Sequence, residues 1–349
     1  MSSETSAPAR TATSYEVTVG SMTFKQSTDD GLSMLAVEDH VDMVQMLTLR
    51  LSGSEGKPTW NVKIGDPVTC KLGSGEEPIF QGEVTSVEPS YQVDGATTLN
   101  IRAMDNTHRL GRGRKTRFWE NMKDSDVVAE VGAECGLSVD ADATSEVLPY
   151  ILQRNESNVA FCKRLAARNN FILRVDPAKG KLLFKKASFQ GQSTKITMGK
   201  DARNLRMSYN SVDQVQKVVV RGWDPSKKQE IVGEATTADI EAIGGGEKGA
   251  DVAGCFGDAV AYVTDVPVSS QSMATEIARA EINRLARSFC RGSATVQGND
   301  KIRAGAVVEF EGFAPGQNGK VFVMSSRHVI SGRTGYTTEF TFCSNTMGT

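Results

Sequence analysis

Along residues 15–105 apolar and polar side chains alternate. Tyr15-Glu16-Val17-Thr18-Val19, Met46-Leu47-Thr48-Leu49-Arg50-Leu51 and Thr98-Leu99-Asn100-Ile101-Arg102-Ala103 each put every second residue on one face, with Gly, Pro and Asp between the runs. A period of two over several residues marks half-buried antiparallel strands. The stretch reads as a small barrel or sandwich. Before it, MSSETSAPARTATS is polar and small, without the apolar segment of a secretory signal, and reads as a disordered arm over 1–14.

From 106 to about 200 the period changes. Ser125 is placed to cap a helix through Val127, Val128 and Val131 that ends near Gly136. Asn155 or Ser157 can cap a second, in which Phe161 and Leu165 stack at i,i+4 and Asn169-Asn170 terminate. Phe171–Val175 and Lys181–Phe184 flank Asp176-Pro177-Ala178-Lys179-Gly180, the composition of a hairpin. Further on, Val215–Trp223 reads as a strand, followed by a glycine-rich excursion over 244–257. A long amphipathic helix then carries Ile277, Ala278, Ile282, Leu285, Ala286 and Phe289 on one face. Strands resume at Ser293.

The closing strands repeat the opening ones. Gly65 precedes Val68 and Gly95-x-Thr97-Thr98 at the spacings by which Gly305 precedes Val308 and Gly335-x-Thr337-Thr338. Between these anchors Gly82-x-Val84 and Gly319-x-Val321 occupy similar places. After the threonines the match slips by one residue, with Leu99 and Ile101 answering to Phe340 and Phe342. Such a slip exchanges a strand's faces unless a bulge absorbs it.

At 349 residues the chain is long enough for two or three domains, and 40 Lys+Arg against 42 Asp+Glu leave a net charge of −2. The balance favours neither nucleic acid nor an anionic membrane. No apolar run approaches the roughly 18–20 residues of a membrane span. Cys70, Cys135, Cys162, Cys255, Cys290 and Cys343 form no C-x-x-C pair and read as reduced, small apolar residues.

Candidates for chemistry are few. His40, His108 and His328 stand in no metal-ligand spacing and read as surface or turn residues. There is no G-x-S-x-G elbow, and Gly244–Ala250 lacks the phosphate-loop pattern. Glu120, Asp124, Asp126 and Glu156 could supply paired carboxylates, yet acids near helix starts also complement the dipole. Arg109–Arg117 holds five cations and two glycines and reads as a connector or a protein- or nucleic-acid-binding loop. Catalytic, cofactor-binding and metal-ligating residues are therefore expected to be none, and no cofactor is expected.

Several runs resemble the phage late control protein D family, which includes contractile tail hubs and the hub part of VgrG proteins. They are Ala103–Leu110, Phe118-Trp119, Asp126–Val131, Gly136-Leu137, Gln153-Arg154-Asn155-Glu156-Ser157 followed by Phe161–Ala166, and Leu182–Phe184. Later come Ile302–Val308, Gly319–Val323, His328 and Gly335–Phe340. The likeness implies a mainly β chain with α+β insertions: two tube-like antiparallel β-barrels and an outer α/β domain. On that pattern residues 15–105 form the first barrel and 106–205 the α/β domain. Residues 206–225 with 284–349 form the second barrel, and 226–283 an insertion. The resemblance further implies a structural, non-enzymatic baseplate hub, a homotrimer joining a hexameric tail tube to a trimeric spike. Its partners would be the tube protein, other baseplate proteins and a tape-measure protein or cargo in the lumen. Neither a membrane nor nucleic-acid contact beyond passage is implied. Assembly in the cytoplasm would precede incorporation into a phage tail or contractile particle. VgrG proteins continue into an OB-like domain and a β-helical needle, whereas this sequence stops after the second barrel pattern, so a separate spike is expected. Glu83, Glu88, Asp94, Glu309, Glu311 and Glu339 are candidates for a lumen face. Two alternatives stay open: a cell-wall hydrolase using Glu120 and Glu156, and an effector- or nucleic-acid-binding module using 109–117.

Overall fold

The computed structural model describes residues 14–26, 31–53, 60–73, 75–92, 97–189, 192–332 and 334–348. All but Ser14 of the expected arm, together with Asp94 and Gly95, lies outside them. Strands β1 (Tyr15–Val19), β2 (Met22–Lys25), β3 (Leu32–His40), β4 (Met46–Ser52), β5 (Pro67–Leu72), β6 (Phe80–Ser90) and β7 (Thr98–Met104) occupy the alternating region. Then come β8 (Lys115–Trp119), β9 (Met122–Lys123), α1 (Asp124–Glu134), β10 (Ser138–Ala141), β11 (Val147–Leu148), β12 (Ile151–Glu156), α2 (Asn158–Arg168), β13 (Phe171–Asp176) and β14 (Lys181–Lys186). They are followed by β15 (Thr194–Thr197), β16 (Ala202–Tyr209), β17 (Lys217–Asp224), β18 (Gln229–Thr236), α3 (Gly249–Ala253), β19 (Val260–Val263) and α4 (Gln271–Ala286). The chain closes with β20 (Cys290–Gln297), β21 (Val307–Glu311), β22 (Gly319–Ser331) and β23 (Gly335–Ser344).

The fold is mainly β. One curled, largely antiparallel sheet of 13 strands runs β16-β20-β23-β22-β3-β4-β7-β6-β5-β1-β2, with β21 on β22 and β15 on β21. Within it β3-β4-β7-β6-β5 and β16-β20-β23-β22-β21 share one strand order. We call these repeat 1 and repeat 2. Their turns match in hydrogen bonding. Gly65 N–H donates to the Val84 carbonyl and Val84 N–H to Asp66, while Gly305 donates to Val323 and Val323 to Ala306. Both glycines have positive φ, +93° and +82°, which a side chain would strain. The bulges match too: Val84/Ser86 with Val323/Ser325, and Leu32/Met34 with Ala202/Asn204.

These registers correct the sequence alignment of the repeats. Val68 lies opposite Gly82 and Val308 opposite Val321, so the counterpart of Gly82 is Val321 and that of Gly319 is Phe80. Ala103 opposite Val84 answers to Phe342 opposite Val323, and Ile101 answers to Phe340. No face is exchanged after the threonines. Leu47 facing Ala103 corresponds to Gly292 facing Phe342, a large-small pair reversed, and a Cβ on Gly292 would collide with the Phe342 ring.

A second correction concerns the strand expected at 215–223. It forms, as β17, but pairs with β18 and β19 in a separate three-stranded sheet rather than joining repeat 2. The place expected for it is taken by β16, paired with β20. Helix α4 packs on β17 and β18, where Gly233 lies so close to Ala274 that a Cβ would strike its backbone. Leu110, Phe161 and Phe184 share a core with Val218, Val220, Ile277 and Ile282, so the 226–283 excursion and the 106–186 segment pack together. Repeat 1 has its own core around Leu35, Leu49, Phe80 and Ile101, and repeat 2 around Phe310, Phe340 and Phe342.

Local signals explain the two longer helices of the middle segment. Ser157 caps α2 through the Ala160 N–H, and Asn169 and Asn170 end it, the latter at φ +56°. Helix α1 starts at Lys123 without a side-chain cap. Ser125, the expected cap, lies inside the first turn and bonds with Thr144, while Asp124 and Asp126 face the positive end of the dipole. At the other end Gly136 donates to Ala133 and Leu137 to Gly132, a Schellman ending with Gly136 at φ +72°.

Candidate functional site: the edges and polar face of the joined sheet

Directly opposed residues of an antiparallel pair project from the same face. In repeat 1 the odd-numbered side chains Leu35, Val37, Leu47, Leu49 and Ile101 enter the core, which leaves Ala36, Glu38, Thr48, Arg50, Asn100 and Arg102 on the other face. In repeat 2 that face carries Arg291, Ser293, Thr295, Arg327, Glu339 and Thr341. It is mainly polar, with Met34, Met46, Met104 and Val329 among its apolar members, and internally bonded. Arg327 reaches Glu38 at 3.0 Å and Glu339 at 3.3 Å, Arg102 lies 3.6 Å from Glu88, and Arg50 donates to Asn100 at 2.9 Å. Of the acids proposed for a lumen, Glu88 and Glu339 lie here. Glu83, directly opposite Met104 at the end of this face, receives Arg109 and His108; burial raises its pKa, but those two bonds outweigh burial and hold it below the usual carboxylate range. Glu309 bonds Ser193 and Glu311 pairs with Lys195.

The repeats meet at one joint. Strand β22 is long enough to fork: Gly319–Phe322 pairs with β21, and Ser325–Ser331 pairs with β3, Arg327 opposite Glu38 and His328 opposite Val37. Under this joint lies a buried polar cluster. Arg303 Nε stands 4.0 Å from Asp39 Oδ2, and Arg303 and Gln45 both donate to the Ile79 carbonyl. Arg174 donates to the Ala304 carbonyl, tying β13 to the joint. Burial pushes Asp39 above the usual carboxylate range, against the opposing pull of Arg174 and Arg303. His328, expected at a surface or turn, is instead 2% exposed and bonds Tyr336 and Thr338 through Nδ1. Burial, reinforced by Arg303, pushes its pKa down to about 3, so the ring is neutral. Its burial depends on a strand pairing that sequence periodicity does not encode.

Among the described residues, besides β2, which pairs only with β1, and β15, which pairs only with β21, each repeat leaves one edge. Strand β16 pairs only with β20, and Ser86–Ser90 of β6 pairs only with β7, among the described residues. Exposure follows: Ser326 and His328 are buried on β22, whereas Glu88, Pro89 and Ser90 are exposed on β6.

The other candidates are engaged in structure. Glu156 pairs with Arg164 at 2.7 Å, Asp124 with Arg168 and Asn169, and Glu120 is an exposed strand-end residue. A cleft of about 1150 Å³ between β12 and α4 includes Glu156 but not Glu120, and two of its three acids, Glu156 and Glu281, are in ion pairs. Within 109–117, Arg109 binds Glu83, Lys115 and Arg117 bind Glu134, and Arg114 donates to the Asn155 carbonyl. Gln153 is fully buried, accepting from Arg117 and donating to Glu156 and Asn158 across the bulge of β12, so the run Gln153–Ser157 builds a strand end and a helix cap. In the glycine-rich stretch a Cβ on Gly246 would strike the Met347 carbonyl and one on Gly249 the Phe289 ring; these glycines admit close packing. All six cysteines are unpaired, and among the described residues no three His, Cys, Asp or Glu side chains gather as for a metal. Among the described residues no helix is long and apolar enough to cross a membrane.

Solved structures share this fold at low identity. The 43 kDa tail protein of prophage MuSo2 from Shewanella oneidensis matches with a TM-score of 0.72 at 15% identity, over 96% of this chain and 100% of that one. A tail protein from Neisseria meningitidis MC58 matches at 0.70 and 11%, over 96% and 97%. The E. coli c3393 protein, described as a type VI secretion component similar to T4 tail proteins, matches at 0.65 and 11%, over 94% and 76%. The resemblance to tail hubs thus extends to the fold of nearly the whole chain. No curated protein matches the sequence. The family model described as the Alg8 N-terminal domain matches residues 63–332, and the chain belongs to that family.

Proposed function

We propose that the chain is a structural hub protein of a phage tail or contractile injection system, three copies of which join a hexameric tail tube to a trimeric spike. One observation carries the reading: two repeats of equal strand order lie edge to edge in a single sheet, and each keeps a strand paired on one side alone, the tip of β6 in repeat 1 and β16 in repeat 2. A sheet with open edges invites further pairing, and a head-to-tail contact that closes makes a ring. Three chains of two repeats offer six similar positions to a sixfold tube while keeping threefold symmetry for a spike. The mainly polar face, bonded within itself, suits a lumen through which a tape-measure protein or cargo passes without sticking. The role is structural rather than catalytic, and its partners are the tube protein, a spike and other baseplate components. Light scattering of the purified protein, with electron microscopy of particles that contain it, tests this. A trimer seated between a sixfold tube and a threefold spike is expected; a stable monomer inside intact particles overturns it.

A further inference from the structure

Superposing the repeats by register shows what the open edges lack. Ala304 and Ile330, beside the joint within the chain, are fully and partly buried, and Ile330 packs on the core of repeat 1 together with Tyr336. Their counterparts in repeat 1 are Ile64 and Tyr91, which are 72% and 74% exposed. On the opposite edge, Leu205, Met207 and Tyr209 of β16 hold the positions of Leu35, Val37 and Asp39 on β3 and are only partly covered, at the open end of the core of repeat 2. Each edge therefore exposes the apolar half of a contact whose complete form exists inside the chain.

We propose that β6 of one protomer pairs antiparallel with β16 of the next, in the register of the joint between β22 and β3, so that Glu88 lies opposite Ser208 of the neighbouring protomer and Tyr91 packs beside its Leu205. This rests on the ring reading above and specifies its seam. The occupant is a second copy of the chain because the joint inside the chain is the template: the same strand positions, bulges and alternation recur at the open edges. The chemistry of the seam differs from that template. Where the joint within the chain buries Asp39, Arg303 and His328, the seam between chains brings together Tyr209, Lys63 and Pro89. Pro89 has no N–H to donate, a device that keeps edge strands from pairing indiscriminately, so partner choice falls to the side chains. Tyr91, a large amphipathic residue, is the anchor. The seam's apolar side is Ile64 and Tyr91 against Leu205, Met207 and Tyr209, with Lys63 beside them.

The test uses the full chain with Cys255→Ser, which removes the exposed native thiol. Positions 88 and 208 both lie on the solvent-facing polar side of the sheet. Glu88→Cys with Ser208→Cys, mildly oxidised, is expected to give linked dimers and trimers on a non-reducing gel, and neither single variant should. Tyr91→Arg is expected to weaken association about tenfold or more, with the unfolding of the monomer unchanged, and Tyr91→Phe to retain it. A protein that is trimeric by light scattering but does not crosslink through this pair overturns the seam and leaves the ring reading standing. Tyr91→Arg assembling like the wild type removes the anchor. A chain that stays monomeric, in particles as well as alone, overturns both.

Discussion

Repeat 1 and repeat 2 have the same strands in the same order, yet the tips of their forking strands are opposites. On β22 the tip is covered by β3 and buries Ser326 and His328; on β6 the corresponding Val87 and Pro89 pair with β7 alone and have no strand on their other side, and Tyr91 beyond them is exposed. The difference is not in the backbone, since the bulge sits at Val84/Ser86 in one and Val323/Ser325 in the other. It lies in what is provided for the partner. A joint made once per chain, at fixed concentration, carries charges under its surface, whereas the free edge displays apolar side chains that tolerate both water and a neighbour.

Four perturbations probe this contrast, in order of size. Asp39→Ala leaves the partly buried Arg303 without its carboxylate and is expected to cost about 3 kcal/mol of unfolding free energy in urea titration, whereas Tyr209→Ala, at the equivalent place in repeat 2, should cost about 1–2 kcal/mol. Equal losses would mean the two joints are energetically alike. Gly82→Val installs the residue that repeat 2 carries at this position; its Cβ would meet the Met104 carbonyl, so a loss of about 3 kcal/mol is expected in thermal unfolding. A neutral result would show that the strands can be exchanged between repeats.

The third concerns pH. With a folded pKa of about 3 against an ordinary 6.5, His328 takes up its proton more readily when unfolded, so its contribution is complete above pH 6.5 and is lost as pH falls towards 3. At pH 5 the loss is about 2 kcal/mol, and His328→Gln should flatten the stability profile between pH 7 and pH 5 by that amount. Asp39 and Asp105, both raised chiefly by burial, act in the opposite sense but are common to both proteins and cancel in the difference. Parallel profiles would refute the assignment. Smallest of all, Tyr91→Arg should leave monomer stability within about 0.5 kcal/mol, because the residue is exposed there; a larger loss would mean that Tyr91 serves its own repeat.

Much of this fold was legible in the chain. Alternation located β1, β4 and β7, the cap at Ser157 and the ending at Asn169-Asn170 located α2, and Gly65 and Gly305 marked the repeat because both occupy a backbone conformation that glycine favours. The misassigned strand shows where such signals fade. As an edge, β16 exposes Arg203, Asn204, Arg206 and Ser208 and only half-buries the alternating Leu205, Met207 and Tyr209, whereas Val218-Val219-Val220 of β17 announces itself. A strand's own residues report its burial, not its partner. The polar joint was hidden for the same reason: Asp39 and Gln45 lie far in sequence from Arg303 and His328, and each alone reads as a surface residue.

The matched bulges carry one more consequence. Paired strands can slide by two residues and keep their faces, so an even ladder has no origin. An inserted residue gives it one, as a notch gives phase to a rule. With the phase held by where a residue is inserted rather than by which residue stands there, the sequence around it is released: Leu47 and Ala103 can become Gly292 and Phe342, and Gly82 can become Val321, without loss of shape. Two halves of a chain can thus lose nearly all identity to one another and still be laid side by side as equivalent arcs.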